Sequence, residues 1–72
     1  MSSIYIRHGR EKSLLHHHPW VFSGSIDHIE GTPAPGETVK VHAMDGTFLA
    51  WGAYSPTSQI RIRTWSFDPA AK

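Results

Sequence analysis

Cysteine is absent from this sequence of 72 residues, and so are long apolar runs. Without cysteine the chain has no disulfides and no thiolate metal site to reinforce a small fold. No segment approaches the roughly 20 apolar residues that a membrane span needs. The opening "MSSIYIRHGR" also lacks the apolar segment of a secretory signal. We therefore expect a cytoplasmic domain without a membrane segment, stabilised by hydrophobic burial.

The composition is that of a folded chain, with 39% hydrophobic and 18% charged residues. A chain of this length buries only about 60% of the surface that its unfolded form exposes, so a thin core is expected. No internal repeat and no long linker divides the sequence. Residues 1–72 are predicted to form a single domain.

The net charge is only +1, but the charges are unevenly distributed. Residues 1–18 contain three basic residues and one acidic residue, residues 19–60 one basic and four acidic, and residues 61–72 three basic and one acidic. Both ends are therefore basic and the middle is acidic. If the fold brings the first and last elements together, their cations would form one face suited to a polyanion.

Two short elements are predicted near the start. Residues 4–7 fit a strand, and residues 11–17 fit one or two helical turns that end before Pro19. A helix this short is not stable alone. The leucine pair at 14–15 is therefore expected in the core, beside residues 20–22.

The rest of the sequence has the period of two that is typical of strands. Hydrophobic and polar side chains alternate cleanly through residues 37–43. Asp45 and Gly46 suit a tight hairpin turn, with residues 47–55 as the returning strand and residues 59–67 as the last strand. Five or six short strands with one or two short helices predict a mainly β fold, a small mixed or antiparallel barrel.

Two blocks of the sequence are more specific than its composition. "GREKSLLHHHPWVFSGSI" begins at residue 9 and "DGTFLAWGAYSPTSQIRIRTWSFD" at residue 45, with "GETVKV" between them. In this order and spacing they resemble the N-terminal PUA domain of bacterial ribosomal RNA large-subunit cytosine-5 methyltransferases, which depend on S-adenosylmethionine. The resemblance covers nearly the whole chain.

The resemblance implies a PUA-like pseudobarrel that helps to hold ribosomal RNA. It also implies that the 72 residues belong to a longer methyltransferase, whose later domain binds S-adenosylmethionine and performs the reaction. The partners of the domain would then be ribosomal RNA and that catalytic domain, and the longer protein could form a homodimer.

The residues of this chain argue separately against catalysis by the fragment itself. Methylation at C5 of cytosine typically needs a cysteine thiolate that adds to C6 of the ring, and the chain has no cysteine. It also has no glycine-rich turn between a strand and a helix where a nucleotide-like cofactor could bind. We therefore predict neither a catalytic residue nor a cofactor in this chain.

The short helix and the segment after it hold several candidate RNA contacts. Arg10 and Lys12, at its start, could contact phosphates, and the alternative is a solvated helix face. Three consecutive histidines follow at residues 16–18. Neighbouring helical residues point about 100° apart, and zinc sites prefer histidines about three to five residues apart, so no metal site is predicted.

Members of the family that this sequence resembles often have arginine at the first two of these positions. The resemblance therefore implies that His16 and His17 lie at the RNA surface. Histidine is mostly neutral near pH 7, so RNA affinity is predicted to rise as the pH falls from about 7.5 to about 6.

The last strand supplies the other candidate contacts. Alternate residues project to the same side, so Arg61, Arg63 and Trp65 are expected to share one exposed face. The two arginines could contact phosphates. The alternative is that they pair with Glu37 or Asp45 on neighbouring strands.

The three tryptophans have different expected roles. A domain this small needs most of its large aromatic side chains in the core, so Trp20 and Trp51 are expected there. Trp65 stays open between the core and a site where its indole stacks on an unpaired base.

Two other functions remain open at this point. The domain could be a protein-interaction barrel that packs against the longer enzyme or mediates a dimer. It could also be an independent small metal-binding or stress-related protein.

Overall fold

The structure is a computed structural model that describes residues 2–16, 18–68 and 70. Within these residues, six strands and two short helical turns follow one another, and no helix is long and apolar enough to cross a membrane. In order, the elements are β1 (Ser3–Ile6), α1 (Lys12–Leu15), β2 (Trp20–Phe22), a 3₁₀ turn (Ser23–Ser25), β3 (Ile26–Glu30), β4 (Thr38–Ala43), β5 (Phe48–Tyr54) and β6 (Ile60–Ser66).

The strands form one curled sheet in the order β2-β6-β5-β4-β1-β3. β1 pairs with β4 in parallel, and the other neighbouring pairs are antiparallel. This architecture confirms the predicted fold, a mainly β and mixed pseudobarrel with one or two short helices. It also brings the last strand, β6, directly beside β2 near the start of the chain.

One face of the sheet carries the hydrophobic core. Val39 and Val41 of β4 have no exposed surface, as their alternation predicts, and Ile62 of β6 lies with them. Leu14 joins the same core, and its helix contacts β5. Burial of a leucine side chain contributes roughly 1.5–3 kcal/mol. The core therefore stabilises a helix that is too short to form on its own.

The helix is shorter than the predicted span of residues 11–17. Glu11 precedes it without capping a helical N–H; instead its Oε1 accepts a hydrogen bond from the backbone N–H of Gly9 at 2.8 Å. At the other end His16 already leaves helical geometry, with φ −91° and ψ 14°. Leu14 is buried as expected, whereas the side chain of Leu15 lies outside the described part of the chain.

The prediction that Trp20 lies in the core was wrong. β2 is an edge strand of three residues, in which Val21 is buried while Trp20 and Phe22 are 44% and 47% exposed. Side chains alternate between the two faces of a strand, so only the central residue of this short strand reaches the core. The two aromatic rings on either side of it are left at the surface.

The β4–β5 hairpin confirms the turn predicted at Asp45 and Gly46. The φ of Gly46 is 91°, a conformation that favours glycine. The backbone N–H of Thr47 donates to Oδ1 of Asp45 at 2.9 Å, and that of Ala43 donates to the carbonyl oxygen of Thr47 at 2.9 Å. Hydrogen bonds from Thr47 lower the pKa of the Asp45 carboxyl.

Candidate functional site

A groove separates α1 from the edge strand β2. Its buried lining residues are Ile6, Leu14 and Val21, and Arg10, His18 and Trp20 are exposed along it. The Trp20 indole meets the His18 ring edge-on, with 6.1 Å between the ring centroids. The groove thus combines a cation with an exposed aromatic side chain, the combination that suits a nucleic acid strand.

A second hollow adjoins this groove at Arg10. Arg10 and Lys12 line it together with Phe22 and Gly24, so the structure brings the two predicted cations to one place. Nε of Arg7 donates to the carbonyl oxygen of Gly24 at 3.1 Å. Arg7 therefore adds a third positive charge beside the hollow. The basic character of residues 1–18 indicated that Arg7 could belong to this surface. Sequence reasoning missed Arg7 because it was assigned to the end of the first predicted strand.

The two arginines of β6 are held differently. The Cα of Arg63 lies opposite those of Trp20 on β2 and Ala53 on β5, and its side chain is exposed. Arg61 is half-buried, and its Nε donates to the carbonyl oxygen of Ser58 at 3.0 Å. Arg63 is therefore the more accessible of the two cations.

Ion pairing of these arginines with Glu37 or Asp45 is not found among the described residues. The Glu37 carboxylate instead accepts hydrogen bonds from Ser2 Oγ at 3.2 Å and from the Ala34 N–H at 3.1 Å. Asp45 is engaged within its own hairpin turn. The positive charges on β6 are thus not neutralised by these two acids.

Strand β2 connects the two groups of cations. Trp20 lines the groove with Arg10, and its Cα faces that of Arg63 on β6. Phe22 lines the hollow with Lys12 and pairs with Ile60 on β6. The predicted contacts from the opening segment and from the last strand therefore flank one short edge strand that bears two exposed aromatic rings.

A second cluster of aromatic rings lies on the face of the sheet opposite the core. Trp51 is buried as predicted, with 5% of its surface exposed, but its neighbours are Lys40 and Phe48 rather than the core side chains. Trp65 stacks on it with ring centroids 6.4 Å apart and an interplanar angle of 16°. Trp65 is 49% exposed, so it lies at the surface and not in the core.

The same face continues towards β3 through a row of stacked rings. Tyr5 lies between His28, at 4.6 Å, and His42, at 5.2 Å, as measured between ring centroids. Burial, and next the positive charge of Lys40, lower the pKa of His42 from its ordinary value of 6.5. His42 is therefore held as the neutral imidazole near neutral pH.

The histidine run is only partly described. His16 is exposed just after α1, and its backbone N–H donates to the carbonyl oxygen of Lys12 at 3.0 Å. His17 lies outside the described residues, so its predicted RNA contact stays a prediction. Within residues 2–16, 18–68 and 70, no three His, Cys, Asp or Glu side chains are grouped so that they could hold a metal ion.

Comparison with known proteins places this architecture in a family. Residues 4–67 match the PUA-like domain family. The chain belongs to that family. The match includes all six strands except the first residue of β1, and it covers both groups of cations around β2.

Two longer relatives of this PUA-like domain carry the same name. The chain is 63% identical over 68 residues to ribosomal RNA large subunit methyltransferase I of Photobacterium profundum, and the match covers 93% of the chain and 17% of that protein. It is 57% identical over 65 residues to the protein of the same name from Aeromonas salmonicida, covering 90% of the chain and 16% of the relative. The domain therefore spans about a sixth of the length of these relatives.

Proposed function

We propose that this PUA-like domain binds ribosomal RNA and helps to dock it for an S-adenosylmethionine-dependent cytosine-5 methyltransferase. Its support is the family match together with the name shared by relatives that are 57% and 63% identical. The structural observation that carries the proposal is the edge strand β2, which has exposed cations on both sides. The setting proposed for this complex is the cytoplasm.

The proposed contacts are electrostatic. Arg10 and Lys12 in the hollow beside α1, and Arg63 on β6, bind phosphate oxygens; guanidinium groups can do so with two hydrogen bonds at once. Arg61 contributes through the two amino groups that its bond to Ser58 leaves available. His16, His17 and Trp65 complete the proposed RNA surface.

In this proposal the domain positions the substrate and does not react with it. Phosphate contacts fix register and orientation but carry no base information. S-adenosylmethionine and the reacting cytosine are bound by another domain of the longer protein, which is the second proposed partner. Tethering to that domain raises the effective concentration of the RNA, so a few phosphate contacts are sufficient.

One observation favours a second candidate, a protein interface within a homodimer or against the catalytic domain. β2 is a sheet edge with exposed Trp20 and Phe22. Edge strands present unpaired backbone groups, and exposed aromatic rings are enriched in protein interfaces. This candidate predicts association of the domain without RNA.

The test is a titration with a short structured fragment of ribosomal RNA at several salt concentrations. Four phosphate contacts predict a slope of log K against log [salt] of about −3, and each cation removed lowers its magnitude by roughly 0.7–0.9. Arg10→Gln and Lys12→Gln should each weaken binding and flatten the slope. Arg10→Lys and Lys12→Arg are matched controls that keep the charge and should retain the slope. Binding that does not depend on salt, or that these glutamine variants leave unchanged, would contradict the proposal.

A further inference from the structure

Around Trp65, the face of the sheet opposite the core has the positive charge expected of a surface that binds a polyanion. Strands β4, β5 and β6 adjoin one another, and their charged residues are Lys40, Arg61 and Arg63, all basic. Trp65 lies two residues after Arg63 on β6. Lys40 is on the same face, with its Nζ 5.1 Å from the centre of the Trp51 ring. Indoles therefore lie between cations on this part of the sheet.

The alternation of β6 places Trp65 on the same face as Arg63, and a β-bulge lies at this position. Thr64 pairs with Gly52, but the next pair joins Ser66 to Trp51, so Trp65 is the extra residue between them. Regular pairing would have placed Trp65 directly opposite Trp51, and the bulge instead leaves Trp65 unpaired and bends β6 locally. Gly52 makes the close approach of β6 possible, since a Cβ atom there would lie 2.9 Å from the carbonyl oxygen of Arg63.

Trp51 forms a fixed support beneath the exposed ring. Phe48 packs against it at 5.7 Å between ring centroids, and Lys40 lies over it. Its Nε1 is buried and has no hydrogen-bond partner among the described residues. Burial of an N–H group without a hydrogen bond costs free energy. Trp65 stacks on this support nearly in parallel and keeps about half of its surface exposed.

We propose that the exposed Trp65 ring stacks on the base of an unpaired nucleotide, while Arg63 contacts the neighbouring phosphate. The inference rests on the proposed RNA-binding function and specifies a single-stranded part of the RNA as the ligand. Every base has a π-face that can stack on an indole, but duplex pairing covers that face with the adjacent base pairs. The surface therefore discriminates between unpaired and paired RNA and has no sequence preference of its own.

The experiment follows the tryptophan indole N–H resonances of the whole 72-residue chain during titration with a short oligouridylate. The matched ligand is the duplex of oligouridylate with oligoadenylate, which has more phosphates and no free bases. We expect the Trp65 resonance to move with the single strand and to move much less with the duplex. Trp65→Ala should weaken single-strand binding about 5- to 160-fold, and Trp65→Phe should retain most of it. Met44→Ala, which removes a side chain of similar exposure (43%) from the hairpin turn, should have no effect.

Failure of this inference is distinguishable from failure of the proposed function. If the structured RNA fragment binds but oligouridylate leaves Trp65 unmoved, the stacking site is wrong and RNA binding stands. If neither RNA binds, both are wrong. A Trp65 resonance that moves with protein concentration in the absence of RNA would identify a contact between copies of the chain and overturn the inference. If Trp65→Ala does not fold, the test is the Trp65 resonance of the unsubstituted protein, which should move with the single strand and much less with the duplex.

Discussion

Replacement of Gly52 by alanine is the most direct test of how β5 and β6 fit together. An added Cβ would lie 2.5 Å from Cγ2 of Ile62, 2.9 Å from the carbonyl oxygen of Arg63 and 3.2 Å from Cα of Thr64. Two of these three atoms are backbone. The third belongs to the side chain of Ile62, which has no exposed surface.

The expected cost follows from these contacts. Ordinary van der Waals separation would require β6 to move away from β5 by about half an ångström to one ångström, and overpacking of this kind costs about 1–3 kcal/mol. We expect a value near the upper end of that range because the backbone must move. For a domain of this size, each kcal/mol lowers the melting temperature by roughly 4–8 °C, so a fall of about 10–20 °C is predicted.

Thermal unfolding followed by circular dichroism measures this loss, with Gly24→Ala as the matched control. Gly24 lies in the 3₁₀ turn, and an added Cβ would meet no atom within 4 Å. The control should melt within about 3 °C of the unsubstituted protein, since exposed sites away from special backbone features change stability little. Equal melting temperatures for the two variants would refute the close approach of the strands at Gly52.

Three further predictions concern protonation and packing. The folded-state pKa of His42 lies below its ordinary value of 6.5, so the unfolded chain binds more protons than the folded chain as the pH falls below 6.5. The free energy of unfolding is therefore highest above pH 6.5 and declines as the pH falls from there through the folded-state pKa. Melting temperatures measured across this range should show the decline, and His42→Gln should flatten it; an unchanged profile would exclude His42 as its source. Leu14→Ala should cost about 2–5 kcal/mol in urea unfolding, because it leaves a cavity where α1 meets the core, and a loss below about 1 kcal/mol would mean that the helix is not held there. RNA affinity should rise as the pH falls from about 7.5 to about 6, and His16→Ala should reduce this rise; an equal rise in both proteins would remove His16 from the RNA surface.

The strands with clean alternation could be predicted from the sequence alone. Val39 and Val41 face the core and Gly46 makes the hairpin turn, because period two and turn chemistry are local properties of the chain. The pairing of β1 with β4 could not be predicted in this way. The Cα of Ile4 lies opposite that of Val41, and nothing in the four residues of β1 specifies so distant a partner.

The tryptophans show why the site was harder to predict than the fold. Trp20 was expected in the core, but its strand is a three-residue edge with one inward position. Trp51 is buried, as expected. However, the side chains that cover it, such as Trp65, lie on the face of the sheet opposite the core. Composition predicts that large rings are buried in a small domain. It does not specify on which side of the sheet, because that depends on the register in which the strands pair.

The strand order has a consequence for synthesis on the ribosome. β2 is completed early, but within the described residues its neighbour in the sheet is β6, whose last residue is Ser66. The edge strand with Trp20 and Phe22 must therefore wait, without its partner, until almost the whole domain has emerged from the exit tunnel. A nascent chain that stalls before β6 leaves Val21, which the folded domain buries, without Ile62 as its partner in the sheet.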